Sequence, residues 1–355
     1  MTKRTLILAL ALPLIVAAAP AKPDPLAASF RAHVAFLADD LLEGRGLGSR
    51  GHEIAANYVA QHFARLGLQP AGDSGSWYQR VSFAESRFAS ERETATLDLG
   101  SRKIELENAV SMGLAAGNET GAEEISGEMV FVGFGLQDKS QGIDDFAGLD
   151  LNGKFAVILS GAPDTLNSEV AAHLARNSKP MAAQAAGAIG LITVRTLKET
   201  ARQSWDKAVS RARLPRRLLL GADGRPLGDG MALKVRATLN DDAAAALFAG
   251  TPMTFAAVQA AAAKGAVKGF ALPGRISFRR ATSVERITSP NVLALLPGTD
   301  KKLANEIVVI SAHLDHVGLK ANPKPGEDAI YNGAMDNATG SATLLEAATA
   351  LSKAP

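Results

Sequence analysis

Two short runs near the C-terminus carry the residues best suited to chemistry. The first is Ser311-Ala312-His313-Leu314-Asp315-His316, which follows the apolar run Glu306 to Ala312. Residues two apart on an extended chain point to the same side, so His313 and Asp315 can face one pocket. A histidine beside a carboxylate is a common metal-binding pair. The carboxylate takes one ring N–H, fixes the tautomer and leaves the other nitrogen for the metal. Asp315 fits that role, or that of orienting another catalytic group. The second run is Asn332-Gly333-Ala334-Met335-Asp336-Asn337-Ala338-Thr339-Gly340. Asp336 stands at the start of a helix, where it can hold metal with one or both oxygens or act only as a cap. The sequence contains no cysteine, so a metal would rest on His, Asp and Glu, and no disulfide is possible.

These runs need elements to place them. Glu306 to Ala312 reads as a buried strand of an α/β sheet, where ligand sites lie beyond the carboxyl ends of strands. Asn291 to Leu296 reads as another buried strand, closed by Pro297-Gly298. A helix is expected from about Thr339 to Lys353, with Leu344, Leu345, Ala348 and Leu351 on one face and Asn337 as its cap. Gly318 to Gly333 reads as a long polar loop. Near the other end, a helix is expected from Ser29 with Phe30, Val34, Leu37 and Leu41 on one face. A second runs from His52 to Leu66, with His62 as a structural histidine beside its apolar face. The glycine-rich stretch Gly44 to Gly51 between them lacks a GKS/T ending and follows a helix, so it reads as a tight connection and not a phosphate loop. Strands are expected at 127–134, 154–159, 189–194, 233–237 and 276–279. Helices are expected near 181–186, 241–248 and 256–263.

Composition narrows the class. The chain has 355 residues, 47% hydrophobic and 21% charged, an ordinary globular mixture with room for about two domains. Lys3 and Arg4, followed by the apolar run Thr5 to Ala19 and Ala19-Pro20-Ala21, read as a cleaved secretory signal. The run is short for a membrane span, which takes about 20 apolar residues, so no stable membrane anchor is expected. Leaving out Lys3 and Arg4, 36 basic residues balance 36 acidic ones, which gives no electrostatic footprint for nucleic acid.

The motifs resemble a known family. SAHLDHVG followed by GEDAIYNGAMDNATG is similar to the di-zinc aminopeptidases of the aminopeptidase S type. The closer likeness is to the branch with an inserted protease-associated domain, related to glutamate carboxypeptidase and the transferrin receptor. Leu37 to Gly46 (LADDLLEGRG) and His52 to Pro70 resemble the same family. So do Gly133-Phe134-Gly135, Asp144-Asp145-Phe146, Leu149-Asp150, Gly153-Lys154 and Ala185 to Ala188 in the middle section. The resemblance implies an α/β fold, in which part of an α/β/α zinc-peptidase domain with a mixed sheet carries an inserted β-rich domain. The implied divisions are a signal peptide at 1–21, the first part of the peptidase domain at 22–115, the protease-associated domain at 116–285 and the start of the zinc core at 286–355. It further implies His313 as a ligand of one zinc, Asp336 as the carboxylate bridging two, and Asp315 as the acid that orients the imidazole. His316 has no ligand role in the family. The implied partner is a peptide or protein with a free N-terminus, met in a periplasm or outside the cell.

The family also places a Glu-Glu pair, an Asp and a His after the bridging Asp. Here only Glu346 follows Asp336, and Pro355 is the last residue. The expectation is therefore an incomplete site, inactive alone. The alternative is a non-catalytic interaction protein akin to the transferrin receptor; the large middle section argues against a glutaminyl-cyclase-like enzyme.

Overall fold

The structure is a computed structural model and describes residues 24–210, 214–228, 230–265, 267–303, 305–320 and 323–353. The expected signal segment, 1–21, lies outside the described residues.

Helix α1 (Pro25–Leu37) opens with the Asp24 side chain accepting from the Leu26 N–H and with proline in its first turn, the position where the missing N–H costs nothing. It ends at Leu37, not Leu41. The Asp39 side chain then caps a 3₁₀ turn, Asp40–Arg45, and this turn rotates the chain so that Leu42 is buried while Leu41 is 83% exposed. Helix α2 (Arg50–Arg65) follows, capped by Ser49.

Ten strands then build one mixed sheet: β1 (Tyr78–Phe88), β2 (Thr94–Asp98), β3 (Lys103–Glu107), β4 (Met112–Leu114), β5 (Gly121–Phe131), β6 (Phe155–Leu159), β7 (Gly190–Val194), β8 (Arg216–Leu219), β9 (Val235–Leu239) and β10 (Phe270–Val292). The order is β8-β1-β10-β5-β6-β7-β9-β4, with β2 pairing both β10 and β3. Strands β5, β6, β7 and β9 run parallel. All five residues of β6 (FAVIL) are buried, as a parallel strand covered on both faces requires. Between these strands lie α3 (Ser168–Asn177), α4 (Lys179–Ala185), α5 (Leu197–Arg202) and α6 (Trp205–Val209); α7 (Asp241–Leu247) and α8 (Phe255–Ala262) follow β9. One face of the sheet buries Phe131, Phe155, Phe248 and Phe278 among Leu and Val. The other buries Val130, Ala156, Ile158 and Leu191 under α4. The sheet draws its strands from both sides of residue 115, and its longest strand, β10, runs past residue 285.

The C-terminal stretch departs from the sequence reading. Asn291 to Leu296 is not a buried strand. It finishes β10, and Ala294–Leu295 then pairs with Gln69–Pro70, leaving Leu295 45% exposed. Glu306 to Ala312 is not a strand either. Ile307, Val308, Val309 and Ile310 are exposed, Val308 by 89%. An apolar run becomes an interior strand only where neighbouring strands take up its backbone donors and acceptors, and no described strand pairs with it. Gly318–Leu319 pairs with Ile330–Tyr331, which closes the expected polar loop at its base. The last helix, α9 (Thr339–Leu351), packs on α1 and α2. Val59, Phe63 and Leu345 bury one another there, and Leu314 packs against them. Among the described residues, no helix is long and apolar enough to cross a membrane.

Candidate metal centre

The chain reaches His313 in extended form, although it is not part of a sheet. Leu314 turns inward onto the cores of α1, α2 and α9, so His313 and Asp315 are held on the outer side. Asp336 arrives from the turn before α9, across a cis Asp336–Asn337 peptide. His313 Nε2 lies 3.1 Å from Asp336 Oδ1. His316 Nδ1 lies 4.0 Å from Asp336 Oδ2. The structure thus brings together His313 and Asp336, residues separated in sequence by the whole 318–333 hairpin.

Asp315 holds the ring differently from the expected way. Its carboxylate is 3.8 Å from His313 Nδ1, too far for a hydrogen bond. Its backbone carbonyl accepts from that Nδ1–H at 3.1 Å. With Nδ1 donating to that carbonyl, Nε2 is the ring nitrogen turned toward the Asp336 carboxylate.

The backbone under these residues is tied from several sides. The Asn337 amide donates to the His313 carbonyl at 3.3 Å, and its oxygen accepts from the Gly340 N–H at 3.1 Å, the capping role expected of it. Ser341 Oγ also donates to the His313 carbonyl at 3.2 Å. Gly333 has φ +64°, and a Cβ there would stand 2.5 Å from the Asp336 carbonyl oxygen and 2.6 Å from His316 Cγ. Only glycine allows the turn to run this close.

Sequence reasoning missed the residue at the centre of this scaffold. Arg45 is fully buried. Its Nε donates to the Leu314 carbonyl at 3.0 Å, Nη1 to the Asn332 carbonyl at 2.7 Å and to that of Leu37, and Nη2 to the Gly333 carbonyl at 3.0 Å. One guanidinium therefore joins the segment bearing His313 to the turn bearing Asp336. Burial pulls its pKa down, and the nearby carboxylates of Asp315 and Asp336 partly restore it. The available signal was an arginine between glycines, Gly44-Arg45-Gly46. Gly44, at φ +67°, lets the turn pass where a Cβ would be 2.5 Å from the Gly318 carbonyl oxygen.

The donor set suits a borderline divalent cation: one imidazole nitrogen and one carboxylate converge. Two donors are what the described residues supply, since no group of three or more His, Cys, Asp or Glu is arranged around a common point among them.

The profile of Peptidase family M28 matches residues 291–355, the stretch that holds all four of these side chains. That match covers the last 65 residues, so the likeness to the family is one of this segment. The chain is 40% identical over 79 residues to a probable leucine aminopeptidase of Arthroderma otae, a match covering 22% of this chain and 20% of that one. In three dimensions it resembles the aminopeptidase from Aneurinibacillus sp. strain AM-1. The TM-score is 0.50 at 22% identity, over 92% of this chain and 59% of that one. That likeness is one of fold. The chain aligns with about a fifth of the length of the fungal relative and with under two thirds of the bacterial aminopeptidase. Within the matched residues, the exposed 306–310 run precedes His313.

Proposed function

We propose that this chain is part of a zinc aminopeptidase that hydrolyses N-terminal peptide bonds, with His313 and Asp336 as metal ligands. The observation that carries this is the 3.1 Å approach of His313 Nε2 to Asp336 Oδ1, with Nδ1 already committed to the Asp315 carbonyl. A catalytic zinc at such a site supplies Lewis acidity and a water of lowered pKa. The chain's own residues do the rest that can be assigned. The Asp315 carbonyl engages Nδ1 and leaves Nε2 as the nitrogen for a metal. Asp336 sits just before α9, in the turn that brings its carboxylate to His313. Arg45 fixes the distance between the two ligand-bearing segments. Were two zincs to bind, Asp336 would be the carboxylate to hold both.

Catalytic zinc ordinarily has three protein ligands and an open position. Two donors hold zinc loosely and provide no general base, so we propose that the 355-residue chain alone releases no amino acid from aminoacyl-anilides. The middle section, about 116–285, is read as an inserted protease-associated domain on the resemblance of its motifs, within a sheet that also takes strands from 78–114 and runs on to residue 292. Lys3, Arg4 and the apolar run after them support export to a periplasm or beyond.

Competition of the purified chain against a fluorescent zinc chelator tests the ligand assignment. The expected result is weak zinc binding, lost in His313→Ala and in Asp336→Ala alike. Binding unaffected by either change would refute the assignment, and the non-catalytic interaction protein would then be the better reading. Vigorous chelator-sensitive hydrolysis by this chain would overturn the two-donor account.

A further inference from the structure

Away from the His313 cluster, the sheet domain carries an open cleft of about 800 Å³ along β4, β7 and β9, within the range of small-molecule sites. Three arginines line it: Arg195, Arg216 and Arg236. Much of the remaining wall is apolar, including Leu191, Leu214 and the indole of Trp205.

The charge here is not balanced in the usual way. The nearby Arg280 is paired with Glu123 at 2.6 Å. Arg195 and Arg216 have no such carboxylate among the described residues. Arg195 is only 4% exposed. Its Nη2 donates to the backbone carbonyls of Glu199 and Gln203, its guanidinium lies 6.0 Å from the centre of the Trp205 ring, and its Nε is buried with no partner. Arg216 Nη1 donates to the Asn118 amide oxygen at 2.6 Å, a neutral acceptor. Burial, together with Arg236 and Arg280, brings the Arg216 pKa down to about 10. Arg236 Nη2 donates to the Gly230 carbonyl at 3.1 Å. Clustered guanidinium groups repel, and an anion in the cavity would relieve that repulsion.

We propose that this cavity binds an organic monocarboxylate with an apolar body. The planar forks of Arg195 and Arg216 match carboxylate geometry, and the apolar wall and Trp205 take the body. The Glu199 side chain, also in the lining, disfavours a polyanion such as phosphate. No part of this depends on the peptidase reading, because no lining residue belongs to the His313 cluster.

The test is titration of the full chain with N-acetyl-phenylalanine and with its uncharged amide, followed by Trp205 fluorescence in a Trp77→Phe background. The acid is expected to saturate the signal, with the amide at least tenfold weaker. Arg216→Met is expected to weaken the acid at least tenfold and leave the amide unchanged, with circular dichroism confirming the fold. Equal binding of acid and amide by the unmodified chain would overturn the proposal, whatever the variant does. So would an undiminished affinity in folded Arg216→Met, or inorganic phosphate competing more tightly than the acid.

Discussion

Arg45 has no contact with any substrate, yet the site's geometry runs through it. Its fork serves carbonyls of Leu37, Leu314, Asn332 and Gly333 at once. Lysine carries the charge but offers a single point of donation. Arg45→Lys is therefore expected to destabilise the fold by about 3 kcal/mol, because it strands buried carbonyls and a buried charge. A urea midpoint indistinguishable from that of the unmodified chain would show that the fork is dispensable. The same argument at smaller scale applies to Gly333. Gly333→Ala forces a non-glycine residue to φ +64° and drives its Cβ toward the Asp336 carbonyl. A loss of about 1–3 kcal/mol is expected from such backbone strain, together with weaker zinc binding as Asp336 shifts. Loss of stability with zinc affinity intact would separate the turn from the site.

At the scale of elements, α1, α2 and α9 meet around a polar knot. His33 on α1 is 2.7 Å from the Tyr58 hydroxyl of α2 and 3.4 Å from Glu346 of α9. Its ring stands edge-on to that of His62, 4.9 Å between centres. His62 Nε2 pairs with Thr349 Oγ1 of α9 at 3.1 Å. Burial lowers the pKa of both histidines. Glu346 opposes this for each, while Arg65 and, for His62, the neighbouring His33 reinforce it. In the unfolded chain both titrate near 6.5. As pH falls below that value the unfolded chain binds protons that the folded chain resists, so stability is lost on acidification and is full above about pH 7. The urea midpoint at pH 5.5 should lie below that at pH 7.5, and His62→Gln should narrow the gap. A midpoint that rises on acidification in this window would contradict the burial argument. Glu85, held below the ordinary carboxylate range by Arg217 and Arg87 against its burial, makes its own loss at lower pH and does not confuse the reading.

For the molecule as a whole, the 306–310 run stands out. Four consecutive aliphatic residues face solvent, a pattern that favours association between chains. Val308→Lys is expected to leave thermal stability within a degree or so, since nothing is buried there to lose, and to lower light scattering on concentration. A clear drop in melting temperature would mean that the valine is packed in solution. The ten-stranded sheet has the opposite character. Its core is closed by Phe131, Phe155, Phe248 and Phe278, so Phe155→Ala should cost about 3–5 kcal/mol; a cost under 1 kcal/mol by urea denaturation would show that the core repacks.

The parallel core strands were plain in the sequence, because runs such as FAVIL state their burial directly. The helices carrying His62 and Leu345 were equally plain from their apolar spacing, and His313 and Asp336 could be singled out from residue type and motif, which are local facts. Other features depend on residues far apart in sequence. Whether 306–312 becomes a strand depends on partners for its backbone, and apolarity alone cannot supply them. Whether the Asp315 carboxylate or its carbonyl holds the imidazole depends on a fraction of a turn about one bond. Arg45 acquires its role only where residues 37, 314, 332 and 333 converge, and no window of sequence contains that meeting. Local composition determined which chemistry is available here, and long-range backbone pairing decided which of those groups face one another.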